Sequence, residues 1–118
     1  MNNKPKYHLF KNTQYALSGL VHALKTESSF KLELLCAVFI IAGIILIDAS
    51  LTQKMILLVT GILVLIVELI NSAIENVVDL VTLEKHPLAK AAKDIGSTAV
   101  MFSIGLHAAC WILVLLWA

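Results

Sequence analysis

Five polar residues in the second of three apolar stretches are where this sequence offers chemistry. They are Glu68, Asn71, Ser72, Glu75 and Asp79. At the turn of an α-helix they share one face, within an arc of roughly 100°, while Asn76 lies off it. Carboxylates at bilayer depth are costly, so such a stripe either lines a wet cavity or holds a cation. Three readings compete. Asn71 and Ser72 could simply hydrogen-bond helices together, which leaves the acids unexplained. Intramembrane acids could bind coupling ions for transport, but three short spans offer little room for alternating access. The third reading is catalysis at the membrane surface. The acids run toward a charged segment carrying Lys90, Lys93 and Asp94, a layout suited to a water-soluble anionic cosubstrate meeting a lipid substrate.

Phosphoryl transfer needs a metal to bridge phosphates, cations to neutralise charge and a group to take the hydroxyl proton. The stripe and the lysines could supply all three. The usual marks of nucleotide binding are missing, however. There is no GxxxxGK[ST] loop, no GxGxxG and no kinase HRD or DFG set, and Gly19, Gly43, Gly61, Gly96 and Gly105 stand isolated. Spacing alone leaves nucleotide use open.

The elements that must position these residues follow from hydropathy. The chain has 118 residues, 59% of them apolar, against about 45–50% in soluble domains. The excess sits in three blocks with charges gathered between them, which makes a bilayer the natural solvent. A net charge of +1 argues neither for nucleic acid nor for an acidic partner. Cys36 and Cys110 lie inside apolar blocks without CxxC or Cys/His spacing, and read as small buried thiols. No apolar run with a small-residue cleavage site opens the chain, so no signal peptide is expected.

The expected fold is all-α and a single domain over 1–118. After a loose tail (1–6), residues 7–25 pattern as an amphipathic helix for the membrane interface, with Leu9, Phe10, Leu17, Leu20, Val21 and Leu24 set against Lys11, His22 and Lys25. A soluble-core helix is the alternative, but the rest of the chain offers no soluble domain for it. The first span covers 29–47, lengthened past Leu34–Ile47 by letting Lys31 snorkel. Residues 48–54 read as a polar turn, 55–83 as the second span, 84–94 as the most charged loop, with Pro87 starting a turn or helix, and 95–117 as the third span. Trp111 and Trp117 sit near its far end, where an aromatic belt is expected. His107 reads as a packed helix residue. Lys4, Lys6, Lys11, Lys25 and Lys31 precede the first span, Lys54 marks the first loop, and Lys85, Lys90 and Lys93 mark the second. The positive-inside rule then puts the N-terminus and second loop in the cytoplasm and the C-terminus outside.

Two stretches also carry a resemblance. ELINSAIENVVDL (68–80) and HPLAKAAKDIGSTAV (86–100), together with TESSFKLE (26–33), resemble the signatures of the bacterial diacylglycerol kinase family, small trimeric kinases of the bacterial inner membrane. The motif E-x-x-N-x-x-x-E-x-x-x-D followed by A-K-D is highly specific, and the likeness extends over nearly the whole chain. It implies ATP and Mg²⁺ as cosubstrate and cofactor, diacylglycerol as lipid substrate, and a homotrimer. By position it implies Glu68 as general base on the lipid hydroxyl, with Asn71 orienting Glu68 or the phosphate. Glu27 and Glu75 would hold Mg²⁺ with the nucleotide phosphates. Lys93 would contact phosphate and Asp94 the nucleoside end, with Tyr15, Glu84, Lys85 and His86 bordering the nucleotide. His86 could instead be a turn residue before Pro87. Ser97 and Trp111 align with lipid-site positions, though Trp111 also suits an interface anchor. Because Glu27 is far from Glu75 in sequence, the site is expected between subunits. His8 stands where many relatives place an arginine near the nucleotide, and Leu32 where some carry a polar residue. The family also contains undecaprenol kinases; GSTAV (96–100) is more similar to the diacylglycerol pattern than to the alanine-rich run of the polyprenol branch.

Overall fold

The computed structural model describes residues 8–117. The expected tail and the first residue of the expected surface helix lie outside them. Four helices follow in order: α1 Leu9–Thr26, α2 Ser28–Leu46, α3 Leu51–Val81 and α4 Pro87–Trp117. The last three are long and apolar enough to cross a membrane.

One residue separates α1 from α2. Glu27 is extended, with φ −106° and ψ 101°; its N–H still donates to the Ala23 carbonyl and its own carbonyl accepts from Lys31 N–H at 3.2 Å. It therefore ends one helix and begins the next. Beyond this elbow the pattern changes from amphipathic to uniformly apolar. On α1 itself Leu9, Phe10, Leu17 and Val21 are exposed and only Ala23 is buried, as suits a helix whose apolar side meets lipid rather than protein.

The turn from α2 to α3 is shorter than the expected 48–54. Helix α3 begins at Leu51 because Ser50 and Gln53 form a capping box: Gln53 N–H donates to Ser50 Oγ at 3.1 Å and Ser50 N–H to Gln53 Oε1 at 2.9 Å, satisfying two otherwise free donors. Lys54 Nζ reaches back to the Ile45 carbonyl at 3.0 Å and closes the C-terminal end of α2.

Helix α4 starts at Pro87, eight positions before the expected span. Proline at a first helical position is pre-set in φ and has no N–H to leave unpaired, and His86 Nδ1 accepts from Leu88 N–H at 3.1 Å. Lys90, Lys93 and Asp94 therefore ride on a helix and not on a loop, which corrects the expected 84–94 segment.

Helices α3 and α4 form an antiparallel hairpin and share the largest contact, with α2 laid against α3 and α1 against α2. Asp79 meets Lys93, Asn71 meets Gly96 and Gly61 meets His107, so position falls on one helix as it rises on the other. Each of the two has 31 residues, about 46 Å of helix against a hydrocarbon core of about 30 Å. The excess lets their charged ends stand clear of lipid. The distribution of polarity is inverted relative to a soluble domain. Glu68 and Asn71 are 6% and 7% exposed, whereas Leu80 and Leu83 are 85% and 88% exposed.

Candidate functional site

The polar face of α3 looks inward. Glu68, Asn71 and Ser72 are all buried, and Glu68, Asn71 and Glu75 line a cleft of about 270 Å³ with Glu27, Ser29 and Glu33 from the start of α2 and Ser97 and Val100 from α4. The elbow brings Glu27 here. Standing immediately before the first turn of α2, it is carried by that helix onto α3, so two acids 48 positions apart in sequence share one cleft of one chain. Their separation in sequence does not by itself require them to meet between subunits.

Within the cleft Asn71 Nδ2 donates to Glu75 Oε1 at 3.0 Å. The amide thus positions Glu75, whereas the sequence suggested Glu68 or a phosphate as its target. Its Oδ1 is buried without a hydrogen-bond partner and lies against Gly96, where a Cβ would collide with it. Gly96 is the residue that admits Asn71.

Glu33, the acid just before the apolar block Leu34–Ile47, also lines the cleft, and its Oε2 is buried with no hydrogen-bond partner. A buried carboxylate oxygen left without a donor costs free energy, so this atom is one to which a group entering the cleft could donate. The signal in sequence was its spacing: Glu33 is six residues, less than two turns, past Glu27.

One turn beyond Glu75 along α3, Asp79 holds Lys93 of α4 in an ion pair at 2.6 Å. Next to Lys93 in sequence, Asp94 is paired with Lys90, one turn back along α4, at 2.5 Å. All four charges are substantially exposed, and such pairs are worth little in water and exchange readily. They form a charged rim beside the acidic cleft.

Other candidates stand apart. Tyr15 is exposed on α1, and Glu84, Lys85 and His86 are exposed in the turn between α3 and α4. Glu84 N–H is bound to Thr82 Oγ1, and the His86 ring caps α4. His8 is the exposed N-cap position of α1, and Leu32 is exposed on α2. Trp111 is not at the cleft. It sits fourteen positions, about 21 Å, along α4 from Ser97 and packs on the core cluster of Ile44, Leu57 and Val114.

Among the described residues no three His, Cys, Asp or Glu side chains converge on a point that could hold a metal. Mg²⁺ does not demand such a cage: it is ordinarily held by one or two carboxylates, with waters and substrate phosphates completing the shell. Glu27 and Glu75 in one cleft fit that donor set. The arrangement as a whole can take a proton from a hydroxyl, hold a cation–polyphosphate complex and meet a lipid arriving from the side.

The comparisons with known proteins bear on this geometry. The sequence model of the family described as prokaryotic diacylglycerol kinase matches residues 14–115. A diacylglycerol kinase of Pseudomonas aeruginosa is 40% identical over 104 residues, covering 88% of this chain and 85% of that protein. The Escherichia coli diacylglycerol kinase is 34% identical over 110 residues, 93% of this chain and 89% of that protein. An undecaprenol kinase of Bacillus subtilis is 40% identical over 93 residues, 77% of this chain and 74% of that protein.

Proposed function

The chain belongs to the prokaryotic diacylglycerol kinase family and is a bacterial membrane kinase; on that footing we propose that it transfers the γ-phosphoryl group of ATP to the free hydroxyl of 1,2-diacylglycerol, giving phosphatidic acid. The observation that carries the reading is the gathering of Glu27, Glu68, Asn71 and Glu75 around one open cleft, with Lys93 at its rim.

Glu68 is the general base. It lines the cleft at the depth a lipid headgroup reaches, and it accepts the hydroxyl proton as the oxygen attacks phosphorus. Glu75, steadied by the Asn71 amide, and Glu27, fixed by the elbow, are the residues that would hold Mg²⁺. The cation would neutralise phosphate charge. Lys93 leaves Asp79 for a phosphate oxygen when nucleotide enters, an exchange of one exposed anion for a more highly charged one. Asp94 turns to the nucleoside, and Tyr15, Glu84, Lys85 and His86 border it. Ser97, already in the cleft, contacts the lipid headgroup, while Trp111 stands with the lipid chains at the far end.

ATP arrives from the cytoplasm, where the N-terminus and the lysine-bearing turn lie, and the C-terminus faces the periplasm. The protein assembles as a homotrimer. The position of Tyr15, Glu84 and Lys85, off the cleft within one chain, is what a site completed by a neighbouring subunit would leave. Undecaprenol is the alternative acceptor, favoured by the 40% identity to the Bacillus subtilis undecaprenol kinase.

The test is a radiolabelled-ATP assay of the purified chain in lipid, offered diacylglycerol and undecaprenol side by side. Label should enter phosphatidic acid faster than undecaprenyl phosphate. Glu68→Gln should keep the assembly and lose most of the turnover, by about 10²-fold or more for loss of a general base. An active Glu68→Gln enzyme would remove Glu68 from the mechanism.

A further inference from the structure

Beneath the acidic cleft lies a second space that the phosphotransfer chemistry does not use. A cavity of about 280 Å³ runs between α2, α3 and α4, walled by aliphatic side chains among them Ile40, Ile41 and Leu65, and closed at depth by Ile44 and Leu57. Glu33 borders both this cavity and the cleft, so the two spaces meet at one side chain. From Glu33 to Ile44 is eleven positions of α2, about 16 Å. That is the depth of one leaflet of hydrocarbon, half of about 30 Å.

His107 forms part of the α4 wall just above the closed end. Its ring is fixed on both sides. Trp111 Nε1 lies 3.0 Å from Nε2 and Thr60 Oγ1 lies 2.8 Å from Nδ1. An indole N–H can only donate, so Nε2 accepts, Nδ1 carries the proton, and that N–H donates to Thr60. The Thr60 hydroxyl then donates to the Ile56 carbonyl at 2.8 Å. Across from the ring, Gly61 leaves no spare room: a Cβ there would stand 3.2 Å from His107 Cε1. With every nitrogen satisfied, the ring has nothing left to bind a headgroup, a phosphate or a metal. What fits such a space is an apolar chain.

We propose that this cavity takes one hydrocarbon chain of the lipid substrate, and that His107, held by Thr60 and Trp111, sets the length and bulk of the chain it accepts. The proposal rests on the lipid-phosphotransfer reading above. It makes His107 a specificity-determining residue, acting at the chain while Glu68 acts at the hydroxyl.

The test is chain selectivity of the full-length protein in mixed micelles with Mg·ATP, comparing dioctanoylglycerol with dioleoylglycerol. His107→Ala removes the ring and deepens the space. It should raise the long-to-short turnover ratio relative to the unmodified protein, by about fourfold for each methylene newly buried. Ile41→Trp narrows the cavity from its half-exposed rim without loss of core packing, and should lower the same ratio. The KM for ATP should not move in either variant. An unchanged ratio in both variants overturns the proposal, and if His107→Ala does not assemble, the ratio in Ile41→Trp decides alone. Absence of phosphorylation of either glyceride by the unmodified protein would overturn the kinase reading, and this inference with it.

Discussion

At the residue scale the site depends on one side chain that touches no substrate. Asn71 spends its amide N–H on Glu75 and rests its carbonyl against Gly96, so a residue without any donor or acceptor side chain governs the position of the acid proposed to hold Mg²⁺. Gly96→Ala would drive a methyl group into Asn71 Oδ1 and turn the amide away from Glu75. The expected result is a chain that inserts and assembles but needs more Mg²⁺ for half-maximal turnover, by about tenfold, the effect of losing a partner that orients a metal ligand. A Mg²⁺ titration identical to that of the unmodified protein would show that the bond is incidental. The acids of α3 were legible in the sequence because three of them and an amide repeat at helical spacing in apolar surroundings. Glu33 was not, because one acid at the edge of an apolar block looks the same whether it faces headgroups or a cleft. The bond from Asn71 to Glu75 was also hidden, since spacing of three and four along a helix allows either Glu68 or Glu75 as its partner.

At the scale of elements, the ends of the helices departed furthest from expectation, and for a common reason. Hydropathy measures where lipid is, whereas a helix ends where its backbone groups find other partners. Helix α3 starts four residues before the apolar run because Ser50 and Gln53 cap it, and the S-x-x-Q spacing was there to be read. Helix α4 starts eight residues early because Pro87 and the His86 ring open it. The pairing of Lys93 with Asp79 could not be read at all, since it depends on the register of the α3–α4 hairpin, which charge counting does not contain. The capping box gives a clean measurement. Ser50→Ala should lower stability by about 1 kcal/mol, seen as earlier thermal unfolding in detergent, while turnover per folded chain stays constant because the cap lies at the opposite end of α3 from Glu75. A fall in turnover at full folding would instead tie the first loop to the site.

For the whole molecule, the span lengths are unequal. Helix α2 has 19 residues, about 28 Å, and just crosses a hydrocarbon core of about 30 Å, whereas α3 and α4 overshoot it. A change in bilayer thickness is therefore felt first by α2, which must tilt or shift and carries Glu27 immediately before its first turn. Turnover measured in phosphatidylcholine vesicles of graded chain length should pass through a maximum near that thickness and fall on both sides. A flat profile would mean that Glu27 is held independently of the lipid. The three-span, all-helical architecture was plain from composition because a bilayer leaves few alternatives, while the meeting of Glu27 with Glu75 required the packing of α2 on α3. The junction at Glu27 has one further consequence, for how the chain tolerates change. A connector of one residue contains no slack. Inserting a single amino acid there would part the acid from the bonds that tie it to both helices, its N–H to the Ala23 carbonyl and its carbonyl to Lys31 N–H, and swing it out of place, whereas the turns at 47–50 and 82–86 have residues to spare. Length variation, affinity tags and fused domains belong at the first of those turns and not at the elbow.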